Sequence, residues 1–454
     1  MSSRHSVLFV TTLSSFLTPF MGSAINVALP RMGSELGMNT IELGWVSTAY
    51  LLAAAIFLLP FGRLADNLGR KRFFIGGLVV FILAALASAI AGDKVTLITA
   101  RVVNGAGGAL LYATAVAILT SAYPKAERGK VLGINVASVY LGLSLGPTIG
   151  GVLTSSLGWR SIFAFIAILG IITLPIAIRH LKTDHKPSGT GTFDLKGSLV
   201  YGISLALIIY GFPKLPGFEG LLPFGLGIAG FFLFVRIENH TASPLLEMNV
   251  FKGNQVFIFS NLAAFINYSA TFALVFLLSF YLQQVRGLPP AQTGLILMAQ
   301  PVVMTLLSPL AGRLSDRIEP AIVASAGMGL TVIGLGAFAF LDAGSSLSFI
   351  IILQMILGLG FALFSSPNTN AVMSSVNPSH YGVASATLGT MRLTGQTVSM
   401  GISMLMFALI MGKGSSGIEN TEGLLSSIRY AFIVFALISV AGTFFSMKRG
   451  KIRT

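Results

Sequence analysis

The stretch Gly62-Arg63-Leu64-Ala65-Asp66-Asn67-Leu68-Gly69-Arg70-Lys71-Arg72 separates two long apolar runs and places one acidic residue among several cations. A shorter version, Gly312-Arg313-Leu314-Ser315-Asp316, recurs in the second part of the chain, with four of five residues identical to those at 62–66. We interpret 62–72 as a tight turn between two helices, in which glycine provides close approach and positive φ while the cations hold one membrane face. The recurrence predicts a chain built from two related halves.

Outward from this stretch, long apolar segments follow one another to both ends of the chain. The mean hydropathy is +0.84, and only 10% of residues are charged, against about 25% in ordinary soluble domains. Apolar runs of about 18 to 28 residues can cross a hydrocarbon layer as helices that satisfy their own backbone. We predict an all-α polytopic membrane protein with fourteen spans, near 6–29, 43–61, 73–91, 96–121, 130–153, 160–178, 196–213, 220–237, 256–283, 291–311, 320–341, 346–370, 382–411 and 428–447.

The positions of lysine and arginine predict the orientation. With the N-terminus in the cytoplasm, 20 of the 29 basic residues fall on the cytoplasmic side, 7 on the other side and 2 inside helices. An even number of spans then returns the basic tail, Lys448-Thr454, to the cytoplasm. We expect a multi-pass protein of the inner (plasma) membrane with both termini cytoplasmic. Because the net charge of +14 is spread over short loops, we attribute it to topology and lipid headgroups rather than to nucleic acid.

The recurrence also divides the chain. We predict a six-helix half at 1–180 and a second six-helix half with a basic tail at 256–454. The segment 181–255 would contain a polar cytoplasmic linker and two additional transmembrane helices, the first capped by Asp194. A substrate path would then lie between the halves, near the middle of the membrane.

Two further motifs lie inside predicted spans. Helix 5 carries Gly142-x-x-x-Gly146-Pro147-x-x-Gly150-Gly151, in which glycines four apart share a helix face and the proline bends the helix. Arg101 begins the run Arg-Val-Val-Asn-Gly-Ala-Gly-Gly in helix 4, and Arg392 lies in Met391-Gln396 of helix 13. These arginines are the charges predicted deep in apolar helices, where a charge normally faces a cavity or a partner.

These motifs resemble the major facilitator superfamily. The stretch 62–72 is similar to its signature loop, which implies a gate that locks the two halves together at the inner face. The residues assigned to this gate are Gly62, Asp66, Gly69, Arg70, Lys71, Arg128 and Asp316. The helix-5 glycines resemble the antiporter motif of exporters. Asn26-Pro30, Trp45-Tyr50 and the Arg392 run, with fourteen spans, resemble the drug:proton antiporter branch. The family's arginine at Arg101 is associated with proton transfer or charge balance.

The chain departs from that branch at one position. The branch commonly has an aspartate five residues before Asn26, where this chain has Met21. We find no aspartate, glutamate or histidine inside the predicted spans, and a cation in a membrane cavity normally needs a carboxylate. We therefore expect neutral or anionic substrates.

Polar side chains in or near the spans form the predicted cavity. The set comprises Arg101, Arg392, Asn26, Tyr50, Asn267, Tyr268, Gln300 and Gln396, with Asn261, Gln354, Asn368 and Asn370 as further amides. For each amide the alternative is a hydrogen bond between helices without any contact to substrate.

We predict a secondary active transporter that exports amphipathic organic molecules by alternating access, with proton coupling left open. A lipid or glycolipid translocase is the first alternative and a non-transporting membrane sensor the second. An enzyme is not expected, because cysteines, membrane carboxylates and clustered histidines are absent from the sequence. We expect no cofactor, metal or nucleic-acid partner. Substrate, membrane lipids and optionally protons are the expected partners, and the resemblance implies a monomer.

Overall fold

Fourteen membrane-length helices form the protein. The computed structural model describes residues 3–181, 193–241, 243–377, 380–412 and 420–450, and within those ranges no strand occurs, so the predicted fold class is confirmed. The helices are α1 Ser3–Leu36, α2 Thr40–Leu68, α3 Arg70–Ala89, α4 Lys94–Ala122, α5 Lys125–Leu157, α6 Arg160–His180, α7 Leu195–Gly211, α8 Phe218–Glu238, α9 Gln255–Val285, α10 Pro290–Ser315, α11 Pro320–Phe338, α12 Leu347–Ser374, α13 Tyr381–Ile410 and α14 Thr421–Met447.

Most helices extend a few residues beyond the apolar runs that predicted them, because polar capping residues set their ends. Asn39 and Glu42 form a capping box at the start of α2. Asp93 accepts hydrogen bonds from two backbone N–H groups at the start of α4. Asp194 accepts one from Gly197 N at α7, as predicted. Residues 182–192 of the linker predicted over His180–Thr192, and the end of the basic tail, 451–454, lie outside the described residues.

The turn predicted over 62–72 is much shorter than expected. Helix α2 continues to Leu68 and α3 begins at Arg70, so Gly69 alone separates them, with φ 110°. The prediction of a turn at Gly62 is therefore wrong: this residue is helical, as is Gly312 in α10. The helix does not stop where the apolar run stops, since its backbone hydrogen bonds continue as far as Gly69 N, which donates to Ala65 O.

Helix α10 is interrupted at Met298, between the segments Pro290–Leu297 and Ala299–Ser315. Pro301 has no N–H for the carbonyl of Leu297, and its ring crowds that carbonyl, so a break at this position is the expected result. Helix α9 is also irregular: it changes to a wider turn at Tyr281–Val285.

The helices pack into two groups. Helices α1–α6 pack mainly against one another, through pairs such as α1 with α5 and α3 with α4. Helices α9–α14 do the same, through pairs such as α11 with α12 and α9 with α13. Helices α7 and α8 pair with each other, and α7 rests on α2, where Tyr201 Oη donates to Ala55 O at 3.1 Å.

We call the side with Gly69 and the end of α14 the basic face, and the other side the opposite face. On the basic face Arg449, predicted to lie in a cytoplasmic tail, is instead fully buried. Its guanidinium donates to Asn368 Oδ1 at 2.9 Å and so ties the end of α14 to α12. Burial lowers the pKa of Arg449 to about 10.

The two groups of helices meet closely toward the opposite face. Gln283 Nε2 donates to Val27 O at 2.8 Å, and Ala291 N donates to Ser155 Oγ at 3.1 Å. Nearer the middle, Ser144 and Thr305 share a hydrogen bond of 3.2 Å. Within the described residues, no hydrogen bond between the two groups lies in the last two helical turns on the basic face. The molecule is therefore closed on the opposite face.

Candidate functional site

A single arginine joins the two groups of helices near mid-membrane. Arg392, on α13, donates from Nη1 to Tyr112 Oη of α4 at 3.0 Å. Its guanidinium carbon lies 5.1 Å from the centre of the Tyr268 ring on α9, within range of a cation–π interaction. Its Nε is buried without a described hydrogen-bond partner. Arg392 therefore retains donor capacity at the boundary between the groups.

Aromatic and apolar side chains surround this arginine. Tyr268 forms a cluster with Met304 and Phe361, and Tyr140 of α5 packs against it. The rings of Tyr268 and Phe361 meet edge to face, with centroids 5.4 Å apart. The cluster therefore combines residues from both groups, and no carboxylate forms an ion pair with Arg392 among the described residues.

This arrangement has a definite chemical preference. A guanidinium with a free N–H attracts an anionic or hydrogen-bond-accepting group. The aromatic rings and Met304 offer apolar area with adaptable shape. Tyr112 is 39% exposed, so open space remains beside the arginine. The site suits an amphipathic molecule that carries an acceptor or a negative charge.

Arg101, by contrast, lies inside the first group of helices and is 1% exposed. Its Nε donates to Val46 O at 3.0 Å, and its Nη1 donates to Asn104 Oδ1 at 3.0 Å. The guanidinium also stacks on Tyr50, 4.5 Å from the ring centre. The two arginines predicted to line one cavity therefore have different positions. Arg392 lies between the groups, and Arg101 joins α4 to α2.

Met21 occupies the position where the resemblance calls for an aspartate. Its sulfur accepts a hydrogen bond of 2.8 Å from Arg101 Nη1. Met21 is fully buried, and a thioether is a weak acceptor. The buried charge of Arg101 is thus held by carbonyl, amide and sulfur atoms, without any carboxylate partner in the described residues.

The other predicted cavity residues fall into three environments. Asn26 is buried and accepts a hydrogen bond from Ser47 at 2.9 Å, which joins α1 to α2. Asn267 is buried, and its amide nitrogen and oxygen have no described partner. Gln300 and Gln396 are partly exposed. The remaining amides bond to neighbouring backbone or side chains: Asn261, Gln354, Asn368 and Asn370.

The predicted gate residues lie on the basic face, and their described side-chain bonds are local. Asp66 pairs with Arg70 at 2.8 Å, one turn further along the chain, and both are partly exposed. Arg128 donates to Tyr123 O at 3.1 Å. Asp316 is exposed at the end of α10, and Lys71 is partly exposed.

The helix-5 glycines contact two different partners. Gly142, Gly146 and Gly150 lie against α1, where a methyl group on any of them would overlap backbone or side-chain atoms. Gly151 lies against the carbonyl of Pro290 in α10, and Gly294 of α10 lies against the carbonyl of Pro147. The motif thus packs α5 within its own group and also closes the opposite face.

Four residues of the site were not predicted: Tyr112, Tyr140, Met304 and Phe361. A tyrosine in the middle of a predicted span was the available signal for the first two, because its hydroxyl needs a partner there. Phe361 carries no such signal among 34 phenylalanines.

Several acidic residues lie at helix ends on the opposite face. Glu42 pairs with Lys94 at 2.6 Å, and Glu35 bonds to Arg160 and Trp159. One position differs from the prediction. Glu238, expected in a segment at the membrane surface, is the last residue of α8 and is 2% exposed. Glu238 belongs to α8 because the helix continues one residue past its apolar run.

Comparison with known proteins agrees with this geometry. The model of the family described as Major Facilitator Superfamily matches residues 11–399 and 260–451. The chain belongs to this superfamily. It is 31% identical to the riboflavin transporter RibZ of Clostridioides difficile, over 86% of both chains. It is 28% identical to the multidrug resistance protein Stp of Mycobacterium tuberculosis, over 87% of this chain and 74% of that protein. It is a transporter, and its motifs resemble those of the drug:proton antiporter branch.

A solved structure shares the fold. The crystal structure of a bacterial homologue of the human lysosomal transporter Spinster, in an inward-facing and unoccupied conformation, matches with a TM-score of 0.71 at 16% identity. The match covers 99% of this chain and 97% of that one. This likeness concerns the arrangement of helices.

Proposed function

We propose that this transporter exports amphipathic organic molecules, neutral or anionic, which bind beside Arg392 between the two six-helix halves. The observation that carries the proposal is the Arg392 guanidinium, which bridges the halves through Tyr112 and has no carboxylate partner among the described residues. A cationic substrate would meet this charge without compensation, whereas an anionic substrate would gain a charge-assisted hydrogen bond. The names of RibZ and Stp, a riboflavin transporter and a multidrug resistance protein, support a substrate of this general class.

We also propose that the basic face is cytoplasmic in the inner (plasma) membrane, with both termini there. The structure then represents a state closed to the outside, and the halves 1–180 and 256–454 move relative to each other about Arg392. The segment 181–255 would travel with the half that contains α2, because Tyr201 bonds to Ala55. A single chain contains both halves, so we propose a functional monomer in contact with membrane lipids.

Everted membrane vesicles test this proposal directly. Vesicles that contain the wild-type protein would be given matched cationic, neutral and anionic fluorescent amphiphiles, with an imposed pH gradient. We expect uptake of the neutral and anionic probes into the vesicles and little uptake of the cationic one. Collapse of the gradient by a transported probe would establish proton antiport, and a gradient that is unaffected while the probe moves would indicate another energy source.

Variants of Arg392 and Tyr112 test whether uptake depends on the positive charge or on the shape of the site. Arg392→Met should abolish uptake of the anionic probe and leave more of the neutral uptake, whereas Arg392→Lys should retain part of both. Tyr112→Phe keeps the ring and removes the oxygen that accepts from Arg392. Arg317→Gln, an exposed site on the basic face, is the matched control. Preferred transport of the cationic probe by the wild type would refute the proposed substrate class.

A further inference from the structure

Two carboxyl groups face each other at the basic ends of the two additional helices. Asp194, which caps α7, is 8% exposed, and Glu238, the last residue of α8, is 2% exposed. A methyl group built on Gly197 would overlap both Asp194 Oδ2 and Glu238 Oε1. The two oxygens therefore crowd the same small space, which glycine leaves open.

Each carboxyl group uses one oxygen and leaves the other without a partner. Asp194 Oδ1 accepts from Gly197 N at 2.8 Å, and Glu238 Oε2 accepts from Leu246 N at 2.8 Å. The second oxygens, Asp194 Oδ2 and Glu238 Oε1, are buried without any described hydrogen-bond donor. Two buried carboxylates that face each other repel strongly, and among the described residues no donor bonds to these second oxygens.

The other charged groups on the surrounding elements do not neutralise this pair. Among the described residues neither carboxylate forms an ion pair, and the one contact of that kind nearby joins His380 to Glu247 at 3.6 Å. At the basic ends of the elements that pack here, the titratable and charged groups are Arg63 and Asp66 on α2, Lys196 on α7, Arg236 on α8, His240 and Glu247 in the segment after α8, and His380 before α13.

A metal ion fits this site poorly. Two oxygens are free, whereas Ca²⁺ takes six to eight oxygen ligands and Mg²⁺ needs an octahedral set. No group of three or more potential metal ligands occurs in the part of the chain that the structure describes. A proton requires only two oxygens, since it can bond covalently to one and be donated to the other.

We propose that Asp194 and Glu238 form a proton-binding site in which the two carboxyl groups share one proton at neutral pH. The proton resides on one of the two facing oxygens and is donated to the other, which removes one negative charge and satisfies both atoms. Glu238 also holds Leu246, whose side chain packs in a cluster with Ala55 and Leu59 of α2 and Tyr201 of α7. The shared proton therefore stabilises the packing of the segment after α8 against α2 and α7.

Infrared spectroscopy of the purified full-length protein tests the site. At neutral pH the wild type should show the C=O stretch of a protonated carboxylic acid, and this band should disappear reversibly as the pH is raised. Glu238→Gln and Asp194→Asn should each lack the band. Glu42→Gln is the matched control, because Glu42 pairs with Lys94 and should not contribute to it. A band that is absent from the wild type, or unchanged in both variants, would overturn the proposal.

Thermal unfolding provides an independent measurement. The Glu238→Gln amide can donate to Asp194 in place of the proton, so the unfolding temperature at neutral pH should stay close to that of the wild type. Alkaline pH should lower the unfolding temperature of the wild type more than that of Glu238→Gln, because only the wild type loses a bound proton. Stabilisation of the wild type alone by Ca²⁺ or Na⁺ would indicate a cation site and contradict proton sharing.

Discussion

Arg101 and Arg392 are both arginines within apolar helices, but they differ in their hydrogen-bond partners. Arg101 makes three described side-chain hydrogen bonds within one group of helices. Arg392 makes one, across the boundary between groups, and its Nε has no described partner. A charge whose described bonds all lie within one group of helices is structural, whereas a charge with an unused donor at the boundary between groups is available to a ligand.

The contact between Met21 and Arg101 leads to a prediction about buried charge. Met21→Asp places a carboxylate next to Arg101, where an ion pair can form, so the protein should still fold. The same substitution in an Arg101→Met background leaves a buried carboxylate without a cation and should cost about 3–5 kcal/mol. Unfolding in mild detergent of the two single variants and the double variant gives the coupling free energy. Equal losses in both backgrounds would show that the two side chains do not interact.

At the scale of elements, glycines allow α5 to pack closely on two sides, against α1 and against α10. Gly146 of α5 lies against Ser23 and Phe20 of α1, inside one group of helices. Gly294 of α10 lies against the carbonyl of Pro147 in α5, between the groups. A contact inside a group persists through the transport cycle, whereas a contact between groups exists only in the state closed on the opposite face.

This difference predicts two distinct phenotypes for the same substitution. Gly146→Ala should lower the stability of the fold by about 1–3 kcal/mol through overpacking. Gly294→Ala should leave the stability nearly unchanged and shift the population toward the state open on the opposite face. Thermal unfolding and the distance between spin labels on the ends of α5 and α10 would separate these effects.

Gly336→Ala is the matched control, because nothing lies within 4 Å of a methyl group at that helical position. Gly294→Ala protein whose label distances match those of the wild type would show that this contact does not determine closure.

At the scale of the whole molecule, the basic face is the side where no hydrogen bond between the two groups occurs among the described residues. Asp66 bonds to Arg70 of its own turn, and an exposed pair of this type contributes at most a few tenths of a kcal/mol. The Asp66–Arg70 ion pair therefore contributes little to the free energy of unfolding. A gate residue would act in the other state, when the basic face closes and Asp66 meets the second group.

Asp66→Asn should consequently leave thermal stability unchanged and lower transport about tenfold or more, which corresponds to a loss of about 1.4 kcal/mol in the closed-basic-face state. Uptake in everted vesicles and unfolding of the same preparation provide both numbers. Glu127→Gln, another exposed acidic site on the basic face, serves as the comparison. A stability loss in Asp66→Asn that matches the loss of transport would indicate a purely structural role.

The amino-acid sequence by itself determined the fourteen spans, the repeated halves and the family motifs, because each of these is a local property of composition and spacing. The apolar runs predicted every helix, and only their ends were misplaced, since a helix continues until a cap or a glycine such as Gly69 stops it. Tertiary structure decided which polar residues meet. Tyr112, Tyr268 and Arg392 are far apart in the chain and come together only when the two groups of helices pack. The same packing buries Arg101 and brings Asp194 to Glu238, because contacts between distant helices depend on how they are arranged around one another.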